Sequence, residues 1–563
     1  MPDEPTQSQR YDDRSAATPV GRFNRLKEHA PFRDFWEPPP QPAAGVLYFS
    51  AADASSIRVD LAGATVILAR GPCLPPREEN DDYLSMPPLA PILLANVLRA
   101  YGARVGIRDL LASSRRPLGR TTALVRQPIR RQEWSRAMND DPSPRVSKLI
   151  EGLLRLLRPA GADGIGLSVE TAGDFPLALC LARTIRQRFS VPTIIGGRGV
   201  HLPEPLMAES PHAVVVHGEG EVPLVLALDA LLHRRPLDRV PSIAFVEEGS
   251  VRATRAMIHD LDTRPTFDLA GAPLEGYRGR IEVEGSGPTV PYQYSIGCPF
   301  PCGYCNATSR RAYRLRAPDK IVADLAQVVR RSGVQRFHML SHLLNADRRH
   351  LDELLRRLEN ADLGIYWSDS CRPAGIDEDT LLRMRRVGAS VLVWGVDCGS
   401  PRLARIMSKG IDHERALHLI KASHRAGIRN IVNIIVGMPR ETAQDLEEAL
   451  RFIERATPYV QEFQLPPYRF HPESLLARNP ERYGLVAGSS GGVDEPEGLS
   501  WSERQAQMPA VAQHMRDHDP RVTGYDLQGR LTRIATGPGL AGRLARRLAS
   551  TRASAARTLR DRR

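Results

Sequence analysis

Short apolar runs alternate with amphipathic stretches from about Ala64 to Leu465. The first run, Ala64-Thr65-Val66-Ile67-Leu68-Ala69, has the unbroken apolar character of a strand buried on both faces. A helical pattern follows from about Pro91 to Tyr101, then a strand at Arg104–Ile107. Residues 113–145 are basic and poorly patterned, and no element is expected there. The alternation resumes with strand Gly164–Val169, helix Pro176–Phe189, strands Pro192–Ile195 and Ala213–Val216, and helix Val222–Leu232. Pro241–Thr254, with Glu-Glu-Gly-Ser at its centre, reads as a closing hairpin. Strands alternating with helices require crossover connections, hence a parallel sheet covered on both faces. Ligands of such sheets sit beyond the carboxyl ends of the strands.

A second series begins near Thr289, with strands at Val290–Ile296, Arg336–Leu340, Ile365–Ser368, Ser390–Trp394, Asn430–Val436 and Val460–Leu465. Helices rich in Arg, Leu and Glu lie between them, and six strand–helix steps suit a partial or complete β/α barrel. The expected class is therefore α/β, with a Rossmann-like unit over 61–255 and a (β/α)6 barrel over 285–470. Residues 1–60, rich in Pro and charge, read as a loose extension; beyond 470 the pattern breaks into loops, and 471–563 form a small C-terminal region.

Composition is ordinary for a globular chain, at 42% hydrophobic and 25% charged. No apolar run reaches the roughly 18 residues that span a bilayer, and the N-terminus lacks the apolar core of a secretory signal. A cytoplasmic enzyme with no membrane partner is expected. The net charge of +12 is local: from Leu540 onward there are eight Arg and one Asp. The remainder is close to balanced, so no basic groove and no nucleic-acid partner are expected. The tail either meets an acidic partner or is a solvated, partly helical terminus. Of seven cysteines, three fall within eight residues, which favours metal ligation over a disulfide framework.

Those three form Cys298-Pro-Phe-Pro-Cys302-Gly-Tyr-Cys305, directly after the first strand of the second series. Three thiolates on one loop can bind three irons of a [4Fe–4S] cube and leave the fourth open. A closed zinc site wants a fourth Cys or His at similar spacing, and the next thirty residues hold none before His338. CxxxCxxC in this position resembles the radical S-adenosylmethionine (SAM) superfamily. The resemblance implies that the amino and carboxylate groups of SAM chelate the open iron. An electron from the cluster then cleaves SAM to a 5′-deoxyadenosyl radical.

Further segments extend the match. Tyr304 fits the family's aromatic position near the adenine. Gly395-Val396-Asp397-Cys398-Gly399-Ser400 resembles the family's Gly-x-Glu-Ser-Gly-Ser, with Asp and Cys where Glu and Ser are usual. Asn433-Ile-Ile-Val-Gly437-Met-Pro439-Arg-Glu441-Thr442 resembles the fifth-strand Gly-x-Pro-x-Glu-Thr segment, whose backbone lines the adenine site. Arg372 matches a position near SAM, while Asp369 and Ser370 beside it read equally as turn residues. His342 reads as a substrate contact or an ordinary loop histidine. Cys180 reads as core; Cys73 and Cys371 either line the active cavity or are buried thiols.

The first unit resembles the cobalamin-binding domain of the class that carries both cofactors. The matching residues are Gly166-Leu-Ser168-Val-Glu170-Thr171, Ile195-Gly196-Gly197 and Val216-His217-Gly218-Glu219-Gly220-Glu221. Each Gly cluster follows a strand, where a Cβ would block a flat macrocycle, and Ser168 and Thr171 offer short hydroxyls. The Asp-x-His-x-x-Gly mark of histidine-ligated cobalt is absent. The resemblance therefore implies base-off binding, with Arg70, Arg77 or Tyr83 near the lower face.

What the resemblance implies is methyl transfer from methylcobalamin, recharged by SAM, to an unactivated carbon or phosphorus of a small molecule or peptide. An electron donor such as flavodoxin or ferredoxin is the implied partner. Ring contraction or oxidative cyclisation with the same cofactors is the alternative. Methylthio transfer needs a further three-cysteine cluster in the first unit, where only Cys73 and Cys180 lie.

Overall fold

In the computed structural model the described residues are 47–71, 86–110, 129–170, 172–200, 205–275, 277, 281, 283–307, 313–488, 492–496, 500 and parts of 502–532. Strand β1 (Leu47–Phe49) precedes the first sheet, which is built from β2 (Thr65–Arg70), β3 (Arg104–Asp109), β4 (Gly164–Ser168), β5 (Thr193–Gly196), β6 (Ala213–Val216), β7 (Ile243–Glu247) and β8 (Ser250–Ala253). Its order is β3-β2-β4-β5-β6-β7-β8, parallel through β6 and antiparallel in the β7–β8 hairpin. The strand order reverses at β2, so the space beyond the ends of β2 and β4 is the topological switch point where such sheets take ligands.

Helices Leu89–Ala100 and Glu221–Leu232 cover one face, burying Ile92, Leu98, Leu224 and Leu228. The other face is covered by helices Arg131–Met138, Pro144–Leu157 and Phe175–Phe189. The first of these corrects the unpatterned reading of 113–145, and the second, which begins at the end of that stretch, is not among the expected elements either. Ser143 caps the Pro144–Leu157 helix by accepting the Val146 N–H, Pro144 fits its first turn, and Val146, Leu149, Ile150, Leu153 and Leu157 form its buried stripe.

Strand β9 (Met257–His259) pairs in parallel with β1, so the chain before the first sheet is fastened to the connection after it. The barrel starts at β10 (Thr289–Gln293), followed by the short pair β11 (Ser295–Ile296) and β12 (Arg314–Leu315). Strands β13 (Arg336–Leu340), β14 (Tyr366–Cys371), β15 (Ala389–Asp397), β16 (Arg429–Ile434) and β17 (Glu462–Leu465) then join β10 in sequential parallel order. Amphipathic helices such as Pro318–Ser332 and Ala443–Ala456 make the crossovers.

Beyond 470 the chain is more ordered than its pattern indicates. A hairpin of β18 (Val486–Ala487) and β19 (Val493–Asp494) is followed by β20 (Val522–Tyr525), which adds a seventh parallel strand against β17, and β21 (Leu531–Thr532) pairs antiparallel with it. β10 and β21 are the two edges, so the barrel is open. One apolar cluster runs from Leu98 and Leu228 of the first unit through Phe267 and Tyr292 to Trp394 and Phe463 of the barrel. Among the described residues no helix is long and apolar enough to cross a membrane.

Candidate active site: the cysteine loop and the cavity between the units

β11 ends at Ile296, opposite Arg314 of β12, and Gly297 at φ 78° turns the chain into the cysteine loop. The loop is pinned by its own backbone and by late parts of the chain. Cys305 N–H donates to the Cys302 carbonyl (3.0 Å), Gly303 N–H to the Met407 carbonyl (2.8 Å), and Leu476 N–H to the Gly303 carbonyl (2.9 Å). Cys302 and Tyr304 are buried in an apolar shell with Met407, Met438, Leu476 and Tyr483. A side chain at Gly303 would run into the Tyr483 ring, 2.6 Å from the Cβ position.

Burial, then the neighbouring sulfur of Cys302, pushes the Cys298 thiol up to about 12 and that of Cys305 up to about 11. Thiols raised in this way, Cys298 and Cys305, ionise only against added positive charge, which bound iron would supply. Among the described residues no three His, Cys, Asp or Glu side chains gather around a single ion. A cubane takes each thiolate at a different iron, so the donor set fits a cluster rather than a closed zinc site.

Around this loop the barrel ends place several expected residues together. Tyr304 Oη donates to Asp397 Oδ2 (2.6 Å), and Lys409 Nζ pairs with the same oxygen. Asp397 follows a bulge in β15, at φ 59°, with Gly395 beside it. Arg372 leaves β14, stacks 4.2 Å over the Phe300 ring and donates to the carbonyls of Lys409 and Gly410 (2.9 Å to the latter). Asn433 Oδ1 is buried with no hydrogen-bond partner in the protein, an acceptor left open on β16. Gly437 N–H donates to Glu441 Oε2 (2.7 Å), whose burial pushes its carboxyl up to about 8.

Ser400 corrects the sequence reading. Its fully buried hydroxyl accepts the Leu403 N–H (3.0 Å) to cap a short helix and donates to Asp445. Asp369 is also buried, held by Tyr294 Oη (2.6 Å) and Ser341 Oγ (2.7 Å). Cys371 and Cys398 are core thiols, Cys180 packs against Met138, and His342 is exposed. Cys73, Arg77, Tyr83, Thr171 and the Arg-rich tail lie outside the described residues.

A cavity of about 430 Å³ opens between the units. One wall is the switch point of the first sheet, with Arg70, Ser168, Gly196, Gly197 and the turn Gly218–Glu221; the other is Pro291, Gln293, Ile296 and Leu340 of the barrel. Not every glycine here serves a ligand. At Gly197 (φ 114°) a Cβ would lie 2.4 Å from the Val169 carbonyl oxygen, so the backbone itself demands glycine. At Gly218 (φ 106°) a Cβ would meet nothing within 4 Å, on the rim of the cavity. Here the positive φ asks for glycine while the space beside it is open.

Arg70 is no free cobalt neighbour: it is buried against Asp109 (2.5 Å), which also accepts Tyr277 Oη. His217 is not among the lining residues, and its N–H is used by the Ser242 carbonyl. Glu219 lines the cavity, but its carboxylate is committed elsewhere. Burial opposes its ionisation, and hydrogen bonds from His259 and Arg314 overcome that, holding the carboxyl well below its usual range. The bonds to Arg314 and His259, and the Lys409 pair, are contacts that the sequence reading missed.

Comparison with known proteins agrees with this geometry. Residues 292–453 match the family described as the Radical SAM superfamily. The chain is 24% identical over 371 residues to an uncharacterized methyltransferase of Pyrococcus horikoshii, covering 60% of this chain and 78% of the relative. It is 29% identical over 275 residues to an anaerobic magnesium-protoporphyrin IX monomethyl ester cyclase of Rubrivivax gelatinosus, covering 46% and 48%. In fold it is similar to the radical SAM methyltransferase TsrM of Kitasatospora setae solved with tryptophan and a SAM analogue (TM-score 0.53, 17% identity, 76% and 78% covered). The same enzyme was also solved with cobalamin and a [4Fe–4S] cluster (TM-score 0.51, 17% identity, 74% and 77% covered). Residues 292–453 thus carry a radical SAM domain, and the two-unit architecture is similar in fold to that of TsrM, which was solved with cobalamin and a [4Fe–4S] cluster.

Proposed function

We propose that this chain is a cobalamin-dependent radical SAM methyltransferase acting on a carbon or phosphorus of a small molecule or peptide. The observation that carries the reading is the placement of the cavity. It is walled on one side by the switch point of the first sheet and on the other by β10 and Ile296, which lead into the cysteine loop. When bound, cluster, SAM and corrin supply a radical initiator and a methyl donor.

The chain's own part is holding, orienting and excluding water. Cys298, Cys302 and Cys305 would ligate the cluster. Tyr304, Gly395, Asp397, Asn433 and Gly437, with Arg372 behind them, would hold SAM. Asp397 offers a carboxylate for hydroxyl or ammonium groups, already oriented by Tyr304 and Lys409. Ser168, Gly196, Gly197, Gly218 and Gly220 would take the corrin, Gly218 by leaving its face clear. The apolar shell of Met407, Met438 and Tyr483 keeps bulk water from the loop. A flavodoxin or ferredoxin would deliver the electron, in the cytoplasm.

The likeness to the cyclase of Rubrivivax gelatinosus favours a second reading, in which both cofactors serve a cyclisation without methyl transfer. The deciding experiment is anaerobic reconstitution with iron, sulfide and hydroxocobalamin, read by optical and EPR spectra with and without SAM. The methyltransferase reading expects a base-off corrin spectrum, a [4Fe–4S]⁺ signal perturbed by SAM, and S-adenosylhomocysteine released on reduction without any substrate. Retained corrin with no S-adenosylhomocysteine selects the cyclase-type reading. Failure to retain corrin removes both.

A further inference from the structure

The interface between the two units is crossed by a buried set of charges that no part of the cofactor chemistry calls for. Glu219 and Glu221 sit on the turn that opens helix Glu221–Leu232 and forms the cavity rim. Arg314, on β12, reaches across with both terminal nitrogens to the Glu219 carboxylate, 2.9 Å for the longer contact, and also donates to the His259 carbonyl. The side chains of Glu219 and Arg314 are each 3% exposed. His259 donates its backbone N–H to Glu219 (3.1 Å), and its ring lies between the two carboxylates, Nδ1 2.8 Å from Glu219 and Nε2 3.6 Å from Glu221. Glu221 pairs with Arg264 (2.6 Å), whose guanidinium continues to the Gln293 side chain (3.2 Å) and backbone carbonyl (3.3 Å).

Each barrel end of this network sits next to the cysteine loop. Arg314 is the register partner of Ile296, two residues before Cys298, and Gln293 ends β10. Each first-unit end is the glycine turn of the cavity. A bidentate Arg–carboxylate pair fixes orientation as well as distance, because both nitrogens must be met at once. Buried, it has no water to fall back on if one partner moves.

We propose that Glu219 and Arg314 are positioning residues that register the Gly218–Glu221 turn against the cysteine loop, so that the two cofactor sites are held as one unit. Glu219 thus acts on the corrin site through the turn and not as a ligand. The inference deepens the reading above and rests on it in one respect, that the cavity is the corrin site. Arg264 with Glu221 is a second, parallel tie to β10.

The test is hydrogen–deuterium exchange on the full chain, comparing wild type with Arg314→Gln and with Glu219→Gln, which keeps the side-chain shape. Loss of the pair is expected to speed exchange on the order of tenfold or more in both 215–222 and 295–306. Exchange in helices Phe175–Phe189 and Ala443–Ala456 is expected to stay unchanged. Faster exchange in one segment alone, or an equal rise in all four, overturns the proposal, since a merely structural pair would loosen the fold at large. If Arg314→Gln yields no folded chain, Glu219→Gln decides. Corrin uptake by the wild type, read optically in the same preparations, judges the methyl-transfer reading separately: with no corrin bound that reading falls, and the exchange pattern still decides the coupling.

Discussion

Replacing any one of Cys298, Cys302 or Cys305 with Ala leaves two thiols on a loop whose backbone is pinned at Gly303. Iron and sulfide content after reconstitution should fall to background in each variant, while corrin retention stays at the wild-type level. Lys409 lies in the opposite position, as a missing counter-charge. Lys409→Met leaves the largely buried Asp397 side chain without its paired cation, and should cost about 3 kcal/mol in denaturant unfolding. Asp397→Asn in the same chain should recover most of that loss. Glu441 gives a pH signature. Its folded carboxyl lies at about 8 against an ordinary 4.5, so the stabilisation is complete below the lower value and lost as pH rises through the upper one. The thermal midpoint of Glu441→Gln should therefore gain on wild type steadily between about pH 5 and about pH 9. At this scale the cysteines were legible because their spacing is local. Lys409 and Arg314 were not, since their partners lie 12 and 95 positions away and no pattern links them.

Elements were legible where packing imposes a period on the chain. The buried strands of the first sheet and all six sequential barrel strands lie within a few residues of their apolar runs. Helix Pro144–Leu157 carried the same signal, with a Ser143 cap and a clean stripe, but stood beside a basic stretch that hid it. Strand β20 was illegible for a different reason: four residues, Val-Thr-Gly-Tyr, make no period, and only pairing with β17 defines them. The strand-end turns separate two kinds of glycine. Gly197→Ala must push Val169 aside and should abolish soluble folded protein or depress the thermal midpoint severely. Gly218→Ala meets no atom and carries only the strain of its φ, about 1 kcal/mol. It should keep the fold yet lower corrin retention, measured by gel filtration and optical spectra. Equal behaviour of the two variants would contradict this distinction.

As a whole molecule the protein has a core that does not stop at the unit boundary: one apolar cluster and one buried charge network cross it. Sequence patterning counted two units and could not count the surface between them, since that surface is made by residues far apart in the chain. The region after 470 belongs to the same assembly. Ending the chain at Phe470 removes the Leu476 N–H from the Gly303 carbonyl, the Tyr483 ring from the cysteine loop and β20 from the β17 edge. Such a chain should retain less iron and lose it faster in air, followed by cluster absorbance, than the full chain does.

The hydrogen bond from Leu476 to Gly303 also sets a timetable. A ribosome delivers the three thiols well before it delivers the residues that close over them, and domains fold as they emerge. Until the later segment arrives, the nascent loop has open sides and free sulfurs exposed to oxidants. Iron and sulfide are thus best loaded into a finished chain, and expression that slows translation beyond Cys305 should lower the yield of metallated protein without changing its sequence.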